Sequence, residues 1–154
     1  MKSCPIFLDT NLLILFVVGT ASREYIQKHK RLKEFIVEDY DALLKIISTA
    51  SEVLVTPNIL TETSNLAAHI SEPARNHVFE VLRSVVASSE EIYIPSRKAS
   101  EREEFVRLGL TDASLIDMST DETTVLTTDL NLYLAVLAKG ASAINFNHVR
   151  DQYL

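Results

Sequence analysis

Short apolar runs alternate with longer amphipathic stretches along this chain. The runs with the length and composition of buried strands cover residues 5–8, 53–55, 92–94, 125–127 and 142–146. Apolar residues at helical spacing fill the intervals between them. Strands that alternate with helices predict parallel βαβ crossovers. We therefore expect a single α/β domain over residues 1–154, with three α/β/α layers and a central, mostly parallel sheet of four to five strands.

Glycine, proline and capping residues set the predicted boundaries of the helices. Thr56 is placed to cap a helix that has Pro57 as its first residue, a position that proline favours. Gly109 and Gly140 are placed to end helices. The predicted helices run from the first strand to about residue 18 with Gly19 as the break, over 22–36, over 38–50, from 57, from 73, over 97–108, from 111 or 112, and from 129 to about 139.

The composition is that of an ordinary globular protein, with 47% hydrophobic and 23% charged residues. Cys4 is the lone cysteine, so no internal disulfide can form, which fits a reducing cytoplasm. The apolar stretch 4–18 resembles a signal peptide, but Asp9 and Asn11 interrupt it and no small-residue cleavage pattern follows. It is also too short to span a bilayer. We expect a cytoplasmic protein without a membrane partner.

The formal net charge is −6, which disfavours nonspecific binding to nucleic acid. Residues 23–33 depart from this balance, because five basic residues and one acidic residue give them a local charge of +4. Basic side chains supply sequence-independent affinity for a nucleic-acid backbone. The alternative is a solvated helix face. The candidate RNA contacts in this segment are Lys28, Lys30, Arg31 and Lys33.

Four carboxylates lie where predicted strands lead into helices. Asp9 and Asp129 follow strands, Asp112 opens a helix, and Glu62 lies inside the helix after the second strand. The carboxyl ends of parallel strands meet at one edge of a sheet, where ligands bind. Acids gathered there repel one another unless a cation lies between them, and Mg²⁺ or Mn²⁺ prefers oxygen ligands. The pattern predicts a metal-dependent enzyme acting on phosphate esters.

Each of these acids also has a simpler interpretation. Asp9, Asp112 and Asp129 are all placed to cap helices, and Glu62 alone would be a solvated surface residue. Asp117 competes with Asp112, but five residues turn it about 140° away around a helix. The neighbours Thr10 and Asn11 are placed to orient Asp9. No single acid is diagnostic, and the prediction rests on their joint placement.

With these residues the chain resembles a PIN domain, and in particular the VapC-type ribonuclease toxins of prokaryotic toxin–antitoxin pairs. The resemblance covers nearly the whole chain. Its strongest parts are Leu8-Asp9-Thr10-Asn11, Asp112-Ala113, Thr127-Thr128-Asp129 and Ile144-Asn145-Phe146. The resemblance places the family's acids on Asp9, Glu62, Asp112 and Asp129, its polar residue before the fourth acid on Thr127, and the small polar residue after the first acid on Asn11.

The resemblance implies an endoribonuclease that uses Mg²⁺ or Mn²⁺ and leaves a 5′-phosphate and a 3′-hydroxyl. It also implies an antitoxin protein as partner, and a homodimer is possible. Two features depart from the family pattern. Asn131 stands where many relatives have a further acid, and the stretch between the first two strands is longer than in the compact toxins.

Two alternatives belong to other functional classes. The first is a catalytically silent PIN domain that acts as a protein- or RNA-binding module. The second is a phosphatase or other hydrolase with a doubly wound fold, in which Asp9 is the nucleophile. That class usually has a second aspartate two residues after the nucleophile, where this chain has Asn11.

Overall fold

The computed structural model describes residues 3–154, and five short parallel strands form its central sheet. The sheet order is β3-β2-β1-β4-β5, and every neighbouring pair is parallel. The predicted α/β architecture with a central parallel sheet is confirmed. The strands are β1 (Ile6–Leu8), β2 (Val53–Val55), β3 (Glu90–Glu91), β4 (Thr124–Thr127) and β5 (Ser142–Asn145).

Ten helices of the described residues flank this sheet. The capping at the start of α4 is as predicted, because the Thr56 side chain accepts a hydrogen bond from the Ile59 N–H and Pro57 is the first helical residue. The helices are α1 (Thr10–Ala21), α2 (Tyr25–Lys28), α3 (Val37–Thr49), α4 (Pro57–Ala67), α5 (Ala74–Ser88), α6 (Ser96–Ser100), α7 (Glu104–Leu108), α8 (Leu110–Met118), α9 (Leu130–Ala138) and α10 (Phe146–Arg150).

The core is built around β1 and the helix that follows it. All three residues of β1 are buried, as expected for the central strand of a parallel sheet that is covered on both faces. α1 packs against α3, α4 and α5. A helix that is apolar on most sides belongs in a core. The apolar stretch near the N-terminus is therefore a buried strand and helix, as predicted.

Gly19 does not break the first helix, and that prediction is wrong. It lies inside α1 and is buried. A Cβ atom at this position would overlap the ring of Tyr40 on α3. The glycine therefore serves a close approach between two helices, and the hydrogen bond between the Thr20 and Tyr40 hydroxyls (3.0 Å) fixes that approach.

The basic segment is not the predicted helix over 22–36. Only α2 is helical there, and the chain then turns at His29. The His29 side chain is fully buried and bonds with the Ala67 carbonyl (3.1 Å) and the Arg31 N–H (3.1 Å). The imidazole of His29 thus ties the segment after α2 to α4.

Three further boundaries differ from prediction. β3 lies two residues earlier than expected, although Ile92 still donates to the Val55 carbonyl at 2.8 Å. The predicted helix over 97–108 is interrupted where Arg102 turns to pair with Glu104 and Asp117. The last strand ends at Asn145, whose side chain caps α10.

No helix within residues 3–154 is both long and apolar enough to cross a membrane.

Candidate metal centre

The four predicted acids line one cleft at the carboxyl edge of the sheet. β1 leads into Asp9 and β4 leads towards Asp129, while α4 and α8 contribute Glu62 and Asp112. The cleft has a volume of about 190 Å³. Its full lining is Asp9, Thr10, Asn11, Glu62, Leu66, Asp112, Asp129 and Leu132.

Asp9 is the most buried of the four acids and caps α1. Its Oδ1 accepts a hydrogen bond from the Leu12 N–H (3.0 Å), and its Oδ2 accepts from the Thr128 N–H (3.0 Å) and the Thr127 hydroxyl. Burial raises the pKa of the Asp9 carboxyl, while these donors oppose the rise. Three donors fix the carboxylate in place.

Asp129 caps α9 with one of its two oxygens. Oδ1 accepts from the Asn131 N–H (2.8 Å) and the Leu132 N–H (3.1 Å). Oδ2 accepts no hydrogen bond from residues 3–154. The Asp129 N–H donates to the Thr127 hydroxyl oxygen (2.9 Å), and that hydroxyl in turn donates to Asp9. Thr127 thus links the first and fourth acids.

Glu62 is held by hydroxyl groups from two other helices. Thr10 donates to Oε2 at 3.0 Å, and Thr111 donates to Oε1 at 2.7 Å. The sequence interpretation placed Thr10 beside Asp9 but missed Thr111. The sequence does place one threonine directly after Asp9 and another directly before Asp112. Each threonine therefore brings a hydroxyl to the same sheet edge as its neighbouring carboxylate.

Asp112 does not cap its helix. Gly109 occupies the capping position of α8, and Asp112 lies in the first turn. The Asp112 carboxylate accepts no hydrogen bond from the described part of the chain. Its pKa is raised to about 7, because burial disfavours the charge and because Asp129, Asp9 and Glu62 repel it. The metal-free cleft therefore disfavours the ionised form of Asp112, and a cation placed among the four acids would relieve that repulsion.

Asp117, the competing acid on the same helix, points elsewhere. It pairs with Lys98 (3.5 Å) and Arg102 (3.4 Å) in a separate cavity. The expected angular separation from Asp112 accounts for this. Asn131, which stands where a further acid was considered, uses its backbone N–H to bond Asp129.

The donor set of the cleft fits a hard divalent cation. It consists of carboxylate oxygens, several of them with unused acceptor positions, and their mutual repulsion is the condition that a cation relieves. Within residues 3–154 no three carboxylate, imidazole or thiol groups are already close enough to form a ready-made metal site. The Glu62 carboxylate is oriented instead by its hydrogen bonds from the Thr10 and Thr111 hydroxyls.

No protein-family model, curated protein or solved structure matches this chain.

Proposed function

We propose that this protein is a metal-dependent endoribonuclease in which Asp9, Glu62, Asp112 and Asp129 hold Mg²⁺ or Mn²⁺. The observation that carries the proposal is that these four acids, from four separate elements, line one cleft. Burial and the three neighbouring carboxylates raise the pKa of Asp112 there. Carboxylates crowded together at a strand edge destabilise the metal-free protein, and such an arrangement is typical of a ligand-binding or catalytic site. The PIN-domain resemblance supplies RNA as the substrate.

The unused acceptor positions indicate which oxygens would bind the cation. Asp112 has both oxygens free of hydrogen bonds from residues 3–154, and Asp129 has Oδ2 free. Each oxygen of Glu62 accepts one hydrogen bond and Asp9 accepts three in all, so Asp9 retains the fewest open positions. A divalent cation bound there would lower the pKa of a bound water and offset charge on the scissile phosphate.

The protein's own residues would position the reaction. Thr127 and the Leu12 and Thr128 N–H groups hold Asp9 rigidly, so this acid provides a fixed reference for the site. Glu62 and Asp112 are the two of these carboxylates that do not cap a helix. Either can accept the proton of the attacking water.

Metal binding and RNA cleavage by single-acid variants test the proposal. Asp9→Asn and Asp112→Asn should each lower Mn²⁺ affinity in calorimetry, and cleavage of labelled RNA, by at least about a hundredfold, since even residues behind the ligands cost 10- to 100-fold. Asp121→Asn is the matched control, because Asp121 is an exposed acid outside the cleft. EDTA should abolish cleavage by the wild type.

Each outcome separates the proposal from its alternatives. Wild-type protein that binds no Mn²⁺, or an Asp9→Asn variant that cleaves at the wild-type rate, would refute the assigned site. Metal binding without cleavage would favour a silent binding module.

We further propose that the nuclease is the toxin of a toxin–antitoxin pair that acts in the cytoplasm. This part rests on the family resemblance. Induced expression should arrest bacterial growth, and Asp9→Asn should relieve the arrest at equal protein level. Arrest by both forms would argue against ribonuclease toxicity.

A further inference from the structure

Four basic side chains project from one short turn of the chain. Residues 28–33, here called the basic turn, begin at the last residue of α2, and Lys28, Lys30, Arg31 and Lys33 are all exposed. None of the four forms an ion pair with any residue between 3 and 154. Four uncompensated positive charges on a protein with a net charge of −6 mark a surface for a polyanion.

A buried histidine holds this turn in one conformation. The Arg31 N–H can only donate, so His29 Nδ1 accepts from it (3.1 Å). His29 Nε2 therefore carries the proton and donates to the Ala67 carbonyl (3.1 Å). Burial lowers the pKa of His29, which favours this neutral form. The Lys30 N–H also donates to the His69 carbonyl at 3.2 Å.

These anchors attach the basic turn to the helix that carries Glu62. Ala67 is the last residue of α4, and its neighbour Leu66 lines the acidic cleft. Ala67 lies about 7.5 Å along the helix axis from Glu62, at a rise of about 1.5 Å per residue. The positive surface and the acidic cleft are thus rigidly connected through one helix.

We infer that the basic turn binds the phosphodiester backbone of a single-stranded RNA segment next to the scissile bond, and that His29 is the positioning residue of this surface. The inference rests on the proposed function for the identity of the polyanion. Basic side chains contact phosphates without reading sequence, so they would hold the strand in register while the cleft acts on one bond.

Salt-dependent binding of a fluorescein-labelled oligouridylate in EDTA tests the surface without turnover. Each phosphate contact to a single strand contributes about 0.7 to the slope of log K against log salt. Replacing Lys28, Lys30, Arg31 and Lys33 by Gln should lower the slope by up to about 2.8. Between 50 and 200 mM NaCl the wild type should then lose up to about 50-fold more affinity than the variant.

A variant with equal charge change elsewhere provides the control. Lys45, Arg83, Arg97 and Arg107 are exposed on α3, α5, α6 and α7, and their replacement by Gln removes the same four charges. This variant should retain most of the wild-type slope. Equal loss in the two variants, or no loss in either, would overturn the inference.

Two near-isosteric substitutions test His29. His29→Asn keeps an acceptor for the Arg31 N–H and loses the donor to the Ala67 carbonyl, whereas His29→Leu removes both. With both variants folded by circular dichroism, His29→Leu should lose at least about half of the basic turn's contribution to the slope, and His29→Asn should lose less. Equal slopes for the two variants would overturn the positioning role.

The binding assay separates this inference from the proposed function. RNA binding through the basic turn without metal-dependent cleavage would sustain the surface and refute the enzyme. Metal-dependent cleavage with an unchanged salt slope in the basic-turn variant would do the reverse.

Discussion

Asp112→Asn should stabilise the metal-free protein at alkaline pH and have little effect at acid pH. Burial and the charges of Asp129, Asp9 and Glu62 raise the pKa of Asp112 to about 7 in the folded protein. The unfolded chain lacks these effects, so its aspartate titrates near 3.8. The folded state therefore binds the Asp112 proton more tightly. That contribution to stability is fully present below pH 3.8 and is lost as pH rises through 7.

The size of the effect follows from the change in pKa. A pKa rise from 3.8 to about 7 corresponds to a loss of roughly 4 kcal/mol in the free energy of unfolding once Asp112 is fully ionised. Asp112 is partly exposed, so solvent screening reduces the expected value to about 1–2 kcal/mol between pH 5 and pH 8. Asparagine does not titrate and carries no charge. For a chain of this length the variant should gain roughly 2–8 °C in Tm over wild type across that interval.

Thermal unfolding followed by circular dichroism in EDTA measures this difference. Wild type and Asp112→Asn are compared at several pH values from 5 to 8, with Asp121→Asn as the control for loss of an exposed charge. The difference in Tm between Asp112→Asn and wild type should grow with pH, while the control difference should stay flat. A pH-independent difference, or a variant less stable than wild type at pH 8, would refute the account of crowded carboxylates.

Two other predictions concern the supports of the site and of the fold. Thr111→Val should weaken Mn²⁺ binding about tenfold by calorimetry, because Glu62 loses one of its two hydroxyl donors. Thr111→Ser keeps that donor and should bind as the wild type does. Equal affinities of the two variants would refute this role of Thr111. Arg150→Ala should lower the free energy of unfolding in urea by roughly 3–5 kcal/mol, because it leaves the fully buried Asp39 carboxylate without its ion-pair partner. A loss under about 1 kcal/mol would mean that the hydroxyl of Tyr153, which donates to Asp39 at 2.6 Å, suffices.

The elements that local patterns specify were predicted well. β2 and the capped start of α4 follow from a short apolar run, a threonine and a proline, and all three act through neighbours within a few residues. Gly109 ends α7 with a positive φ of 89°, which glycine adopts without strain. Such features need no knowledge of the tertiary structure.

The features that were missed depend on distant residues. Gly19 behaves as a helix residue because Tyr40, on another helix, occupies the space of its missing side chain. The helix in the basic segment ends before His29, whose imidazole bonds to Ala67, 38 residues away. Helical periodicity carries no information on either contact, so no reading of the local pattern could have found them.

The sequence predicted which acids lie at the sheet edge, but it did not predict the hydrogen bonds that hold them. Asp9, Glu62, Asp112 and Asp129 all line the expected cleft, because strand order alone brings their elements to one edge. The bonds that hold Glu62 come from Thr10 and Thr111, 52 and 49 residues away, and the local pattern does not show which carboxylate these hydroxyls bond.

Helix capping and metal binding are alternative roles for these acids, yet one carboxylate can perform both when each role uses a different oxygen. Asp129 caps α9 through Oδ1 alone, with both N–H donors on that atom. Its Oδ2 is left without a partner among residues 3–154. Capping thus fixes the carboxylate against the helix and directs one oxygen away from it. A pre-positioned oxygen loses little conformational entropy on binding a cation, so the cap that seemed to compete with the metal hypothesis is also its structural support.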